Sequence, residues 1–131
     1  MRKCSVVHFE MPTKDRERVS KFYSETFGWN MIPMGEDMGN YIMAHTADTD
    51  EKGMIAQPGA INGGFYESKE ENEPPHLVIV VDNVDEHIEL VKNAGGEVLG
   101  EPMDIPGVGR FVMIKDTEGN KVAILQPASM E

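Results

Sequence analysis

One order of signals occurs twice along the chain, and that repetition limits its possible folds more than any other feature. His8 and His76 each open or interrupt an apolar run and stand 68 positions apart. Gly28 and Gly95 each follow an amphipathic stretch and stand 67 positions apart. Strand, helix, glycine stop and three further strands recur at nearly one period, which is the mark of an internal duplication.

In the first half, Val6 to Glu10 begins apolar and ends in alternation, which predicts a strand with Val7 and Phe9 on one side and His8 and Glu10 on the other. A helix should follow, capped by Thr13 or Asp15. Val19, Phe22, Tyr23 and Phe27 form one apolar stripe along it, and Gly28 takes the C′ position. Three short strands are expected near Asn30–Met34, Tyr41–His45 and Ile61–Tyr66, with Ala47–Pro58 as loop. In the second half, His76-Leu77-Val78-Ile79-Val80-Val81 reads as a strand buried on both faces. Asp82 or Asp85 can cap a helix bearing Val84, Ile88, Val91 and Ala94, which Gly95-Gly96 ends. Strands near Glu97–Glu101, Gly109–Lys115 and Lys121–Gln126 complete the set. Asp116 to Asn120 forms a tight hairpin loop in which Gly119 or Asn120 takes positive φ.

Each half alone would leave an open, curved sheet with an exposed edge, so pairing of the halves is expected. The predicted fold class is α+β: two βαβββ half-repeats in one domain. The first module covers about residues 1–67, an acidic linker 67–75, and the second module 76–127. The linker, Glu67 through Pro75, holds four acids and two prolines and no apolar side chain, as a solvated connection would.

Composition narrows the partners. The chain carries 23 acids against 12 Lys and Arg, a net charge of −11, which disfavours nucleic acid and anionic membrane surfaces. No apolar run approaches the roughly 20 residues of a membrane span, and the run after the basic start ends at Val7, too soon for a signal peptide. A single cysteine, Cys4, permits no internal disulfide, so a cytoplasmic location is expected. Cys4 has only Lys3 as a basic neighbour and is not read as a nucleophile.

Three stretches carry a resemblance: His8-Phe9-Glu10-Met11-Pro12, Phe22-Tyr23-Ser24-Glu25-Thr26-Phe27-Gly28-Trp29, and Asp116 through Pro127. With them the chain resembles the vicinal oxygen chelate superfamily, which includes glyoxalase I, extradiol dioxygenases and bleomycin-resistance proteins. Thr117 stands where the family's terminal hairpin usually has proline. The resemblance implies curved mixed sheets around a shared cavity that takes a small-molecule ligand, and a homodimer that sometimes exchanges modules. In metal-dependent members, inward residues of the first and last strands hold one divalent ion such as Fe, Mn, Ni, Co or Zn, whose open positions receive substrate oxygens.

By that resemblance His8 matches the first-strand ligand position and His76 its counterpart in the second module. The usual glutamate position, however, corresponds to Ala123, and the first module offers no acid in Ile61–Tyr66 before Glu67. Two imidazoles fall short of the three protein ligands of a catalytic centre, and Glu10 or Glu67 would have to supply the third. His8 and His76 are therefore read first as hydrogen-bonding residues lining a cavity, together with Glu10, Met113, Ala123 and Leu125. Alternation puts Phe111, Met113 and Lys115 on one face of their strand, and Lys121, Ala123 and Leu125 likewise share a face of the last strand. The frequent methionines (Met31, Met34, Met38, Met43, Met54, Met103, Met113) suit an adaptable apolar lining, with core filling as the default for most. His45 and His87 are expected at the rim or surface, and Trp29 in packing. Gly107-Val108-Gly109-Arg110 precedes a strand rather than a helix, so it is not a phosphate loop; Arg110 remains as a rim cation for a ligand anion.

The leading expectation is thus a glyoxalase- or bleomycin-resistance-like protein that binds a small organic molecule without a cofactor. The rival is a lactoylglutathione-lyase-like or dioxygenase-like enzyme holding a divalent metal on His8 and His76. A non-catalytic interaction module using the acidic surface is the third.

Overall fold

A computed structural model of the chain describes residues 3–52, 57–68 and 70–128; Met54 and Lys69 lie outside the described residues. The chain divides into two compact units. One is His8–Pro75, and the other joins the residues up to Val7 with those from His76 onward.

In the first unit, strand β1 (Val6–Thr13) runs on past the predicted end at Glu10. Asp15 caps helix α1 (Arg16–Phe27), its carboxylate accepting from the Arg18 backbone N–H at 3.0 Å. Gly28 ends the helix at φ 72, a left-handed conformation that glycine takes without Cβ strain. β2 (Asn30–Pro33), β3 (Ile42–His45) and β4 (Asn62–Glu67) follow. The sheet order is β2-β3-β4-β1. β2, β3 and β4 are antiparallel neighbours, and β4 runs parallel to β1.

Ile42, Ala44 and Phe65 are buried on the helix side of this sheet, with Phe9, Met11, Val19, Tyr23, Trp29 and Met31 packed around them. The predicted apolar stripe of α1 divides here. Val19 and Tyr23, one turn apart, meet the sheet, and Tyr23 stacks on Trp29 at 4.8 Å. Phe22 and Phe27 remain 53% and 59% exposed on the flank, in contact with Tyr23 at 5.0 and 5.8 Å.

The second unit repeats the pattern with β5 (His76–Val80), α2 (Val84–Asn93), β6 (Glu97–Ile105), β7 (Gly109–Lys115) and β8 (Lys121–Pro127). Its order is β5-β8-β7-β6, with β5 parallel to β8 and the rest antiparallel. Asn83 caps α2, accepting from the Glu86 N–H at 3.0 Å, so neither Asp82 nor Asp85 has that role. Asn83 is the extended residue next to the helix, whereas Asp85 already lies inside its first turn. Val81, Val84, Val112 and Ile124 form the core, joined by Ile79, Ile88, Val98 and Ile114. Each such side chain contributes roughly 1.5–3 kcal/mol when fully buried.

β6 exceeds its predicted end at Glu101 because a register shift between Leu99 and Met103 carries pairing past Gly100 and Pro102. In the β7–β8 turn, the Asp116 carboxylate accepts from the Glu118 and Asn120 N–H groups at 2.8 and 2.9 Å. Gly119, rather than Asn120, takes positive φ. Both units are β-α-β-β-β, and the fold is the α+β fold of two half-repeats.

Candidate functional site

β1 alternates in the first unit, so Phe9 and Met11 enter the core while His8 and Glu10 point to the other face of the sheet. Gly64 of β4 pairs with Glu10, Met43 of β3 with Gly64, and Ile32 of β2 with Met43. That row has no side chain at Gly64. A Cβ there would overlap the Tyr41 ring and hydroxyl, so Tyr41 lies across the glycine. A Cβ at the neighbouring Gly63 would overlap the Phe9 ring on the opposite face.

Lying over Gly64, Tyr41 reaches both polar residues of β1. Its hydroxyl donates to Glu10 Oε2 at 2.8 Å and stands 2.9 Å from His8 Nε2. His8 Nε2 and Glu10 Oε1 are 3.8 Å apart. A tyrosine hydroxyl has one proton, so while it is donated to an ionised Glu10, the bond to His8 is made by the His8 Nε2–H donating to the tyrosine oxygen. With Glu10 ionised, the chain of donors runs from His8 through Tyr41 to Glu10.

Burial raises the Glu10 carboxyl from 4.5 to about 7, and the Tyr41 hydrogen bond only partly opposes this. Burial also pushes the Tyr41 hydroxyl up, with the charge of Glu10 adding to the effect, so it remains a donor at every neutral pH. Tyr66, two positions beyond Gly64 on the same face of β4, is likewise raised, by burial first and then by Glu73.

The other residues singled out from the sequence fall elsewhere. Glu67 ends β4 on the opposite face from Gly64 and is exposed, so it is not brought to His8. His76, Met113, Ala123 and Leu125 belong to the second unit. There Val78, Ala123, Met113 and Leu99 pair as a row that is apolar throughout. His76 and Met113 are half-buried, and Ala123 is 0% exposed. Arg110 does not stand as a free cation: it donates to Asp85 at 3.1 and 3.2 Å and to Asp104 at 3.1 and 3.3 Å. His87 lies 3.7 Å from Cys4 Sγ. A depression of about 410 Å³ in the first unit is lined by Pro12, Thr13, Lys14, Arg18, Val19 and Phe22.

Within the first unit, His8 and Glu10 alone do not make up the usual three-ligand set of a divalent metal. Among the described residues no three His, Cys, Asp or Glu side chains are grouped so that they could hold a metal ion. His8 and Glu10 supply two donors, and the Tyr41 hydroxyl stands between them. Tyr41 is the participant that sequence reading missed. It precedes β3 as an ordinary aromatic, and only Gly64, 23 positions later, signals the room it fills.

Relatives extend this picture. A glyoxylase-like domain-containing protein of Didymella fabae is 35% identical over 124 residues, covering 88% of each chain. CFP32 of Mycobacterium tuberculosis, named as a glyoxylase, is 39% identical over 56 residues, 43% of this chain. The match spans only 22% of that relative's length. A Vibrio cholerae protein named as a lactoylglutathione lyase is 24% identical, covering 92% of this chain and 89% of its own.

Among solved structures, methylmalonyl-CoA epimerase in complex with methylmalonyl-CoA and NH4+ superposes with a TM-score of 0.70 at 19% identity, covering 98% of this chain and 97% of its own. The BH1468 protein of Bacillus halodurans gives 0.69 at 13% identity over 99% of both. These likenesses concern the fold alone. The model of the glyoxalase/bleomycin resistance protein/dioxygenase superfamily matches residues 5–124, and the chain belongs to that family.

Proposed function

We propose that the chain binds a small organic molecule on the polar face of its first unit, around His8, Tyr41 and Glu10, without needing a metal ion. The observation that carries this reading is the closed hydrogen-bond chain through the Tyr41 hydroxyl, 2.9 Å from His8 and 2.8 Å from Glu10. It gives a ligand oriented polar groups beside apolar Met43 and Ile32, the mixture that small-molecule sites use. His76, Met113, Ala123 and Leu125 belong to the same proposal as ligand-lining residues of the second unit.

A screen of metabolites and drugs in the presence of a chelator tests it. Saturable binding, weakened at least about tenfold by His8→Ala, is expected; a tenfold loss corresponds to about 1.4 kcal/mol. Binding that appears only after a divalent ion is added would sink the proposal.

That contrary result would favour the second reading, a metal-dependent lyase, isomerase or dioxygenase. The names of the Didymella and Vibrio relatives support it, as does the 3.8 Å separation of His8 Nε2 and Glu10 Oε1. In such an enzyme the ion would act as a Lewis acid on the oxygens of a thiol–dicarbonyl adduct or a catechol.

A homodimer and a cytoplasmic location complete the proposal. Exposed Phe22 and Phe27 on α1 support the first, and the single Cys4 the second. A solution mass equal to one chain would remove the dimer.

A further inference from the structure

The polar face of the first unit carries an inference about how ligands are selected there. It rests on the proposal that this face binds a small molecule. His8 Nε2 and Glu10 Oε1 stand 3.8 Å apart, a span that one zinc-sized ion could bridge with its ordinary bonds of about 2.0–2.2 Å. The hydroxyl of Tyr41 stands against both residues, 2.9 Å from His8 Nε2 and 2.8 Å from the other carboxylate oxygen, Glu10 Oε2. Two features hold it there. Gly64 leaves the space over β4 that the ring crosses, since a Cβ would overlap it. The backbone bond from Met34 N–H to the Tyr41 carbonyl, 2.8 Å long, fixes the residue at its other end.

We propose that Tyr41 is a specificity-determining residue: its hydroxyl engages both His8 and Glu10, the two residues that a divalent ion would bridge. It thereby commits the face to organic ligands held by single hydrogen bonds rather than by chelated pairs of oxygens. The hydrogen-bond polarity agrees with this. An ionised Glu10 only accepts, so Tyr41 donates to it and His8 Nε2 carries its own proton. A protonated ring nitrogen has no lone pair for a metal. His8 and Glu10 are ligands in waiting, and Tyr41 occupies one ring nitrogen of the first and one carboxylate oxygen of the second.

The test compares native protein, Tyr41→Phe and the double variant Tyr41→Phe with His8→Ala in titrations with Zn and Ni alone. Tyr41→Phe should bind at least ten times more tightly than native protein, and the double variant should lose that gain. Native protein binding as tightly as Tyr41→Phe would overturn the proposal, and so would a Tyr41→Phe that gains nothing. Affinity shared equally by all three proteins would reflect the acidic surface and count against it as well.

A second measurement needs no variant that folds. Nitrogen chemical shifts of the His8 ring in native protein at pH 8 should report the proton on Nε2. A bare Nε2 with the proton on Nδ1 would overturn the clamp directly. Failure here is distinct from failure of the binding proposal, which is read by ligand saturation in chelator and does not depend on where that proton sits.

Discussion

Glu10 is the residue where structure and solution conditions meet most directly. Its carboxyl titrates near 7 in the fold against 4.5 when free, because burial penalises the charge more than the Tyr41 hydrogen bond relieves it. A raised carboxyl makes the fold hold a proton that the unfolded chain has released. Its contribution to stability is therefore complete below pH 4.5 and lost as the pH rises through about 7. The difference amounts to at most about 3 kcal/mol between pH 4 and pH 8, taking about 1.4 kcal/mol per pH unit. Glu10→Gln has no such proton to lose, so the native protein should lose stability relative to it across that window. Urea midpoints of both proteins at several pH values check this; parallel pH profiles would mean that Glu10 titrates like a solvated acid.

At the scale of elements, the glycine pair of β4 decides what each face of the first sheet can hold. Gly63 admits the Phe9 ring on the core side and Gly64 admits Tyr41 on the polar side. Gly64→Ala should expel Tyr41 and cost about 1–3 kcal/mol, as overpacking does. It should also reproduce the metal affinity of Tyr41→Phe; an unchanged urea midpoint and tyrosine environment would show that the strand yields instead. The cap of α1 is a simpler element. Asp15→Ala should cost about 1 kcal/mol in the same unfolding measurement.

Much of this scale was legible beforehand, because alternation, the Gly28 stop and the β5 apolar run are local signals; the run marked the strand but not its faces, since Leu77 is 47% exposed rather than buried. The cap at Asn83 was obscured by acids on both sides of it, and which neighbour is extended is a backbone fact. The exposure of Phe22 and Phe27 followed from which turn of α1 meets the sheet, which periodicity alone leaves open. Tyr41 was invisible for a stronger reason: its role depends on a missing side chain in another strand. His8 and Glu10 could be named from a shared strand face, whereas the hydroxyl that joins them could not.

Across the whole molecule, duplication preserved the fold and separated the two faces in chemistry. Corresponding rows read Ile32, Met43, Gly64 and Glu10 in one unit, and Leu99, Met113, Ala123 and Val78 in the other. The first keeps an acid and opens a gap beside it; the second closes the gap with a methyl group and puts valine where the acid would be. Restoring an acid on the second row therefore tests how far that divergence has gone. Ala123 is 0% exposed and its paired neighbours Val78 and Met113 offer no hydrogen bonds from their side chains. Ala123→Glu should destabilise the protein by about 3 kcal/mol or more at pH 8, since a buried carboxylate without a partner is costly. The loss should be smaller at pH 5, where the introduced group can be protonated: its raised folded value means that stability drains away as pH rises. Urea unfolding at the two pH values reads both effects. A variant as stable as native at pH 8, and further stabilised by Zn or Ni, would mean instead that the second face still has a place for the acid. The apolar row would then be a substitution the fold readily reverses rather than a core it depends on.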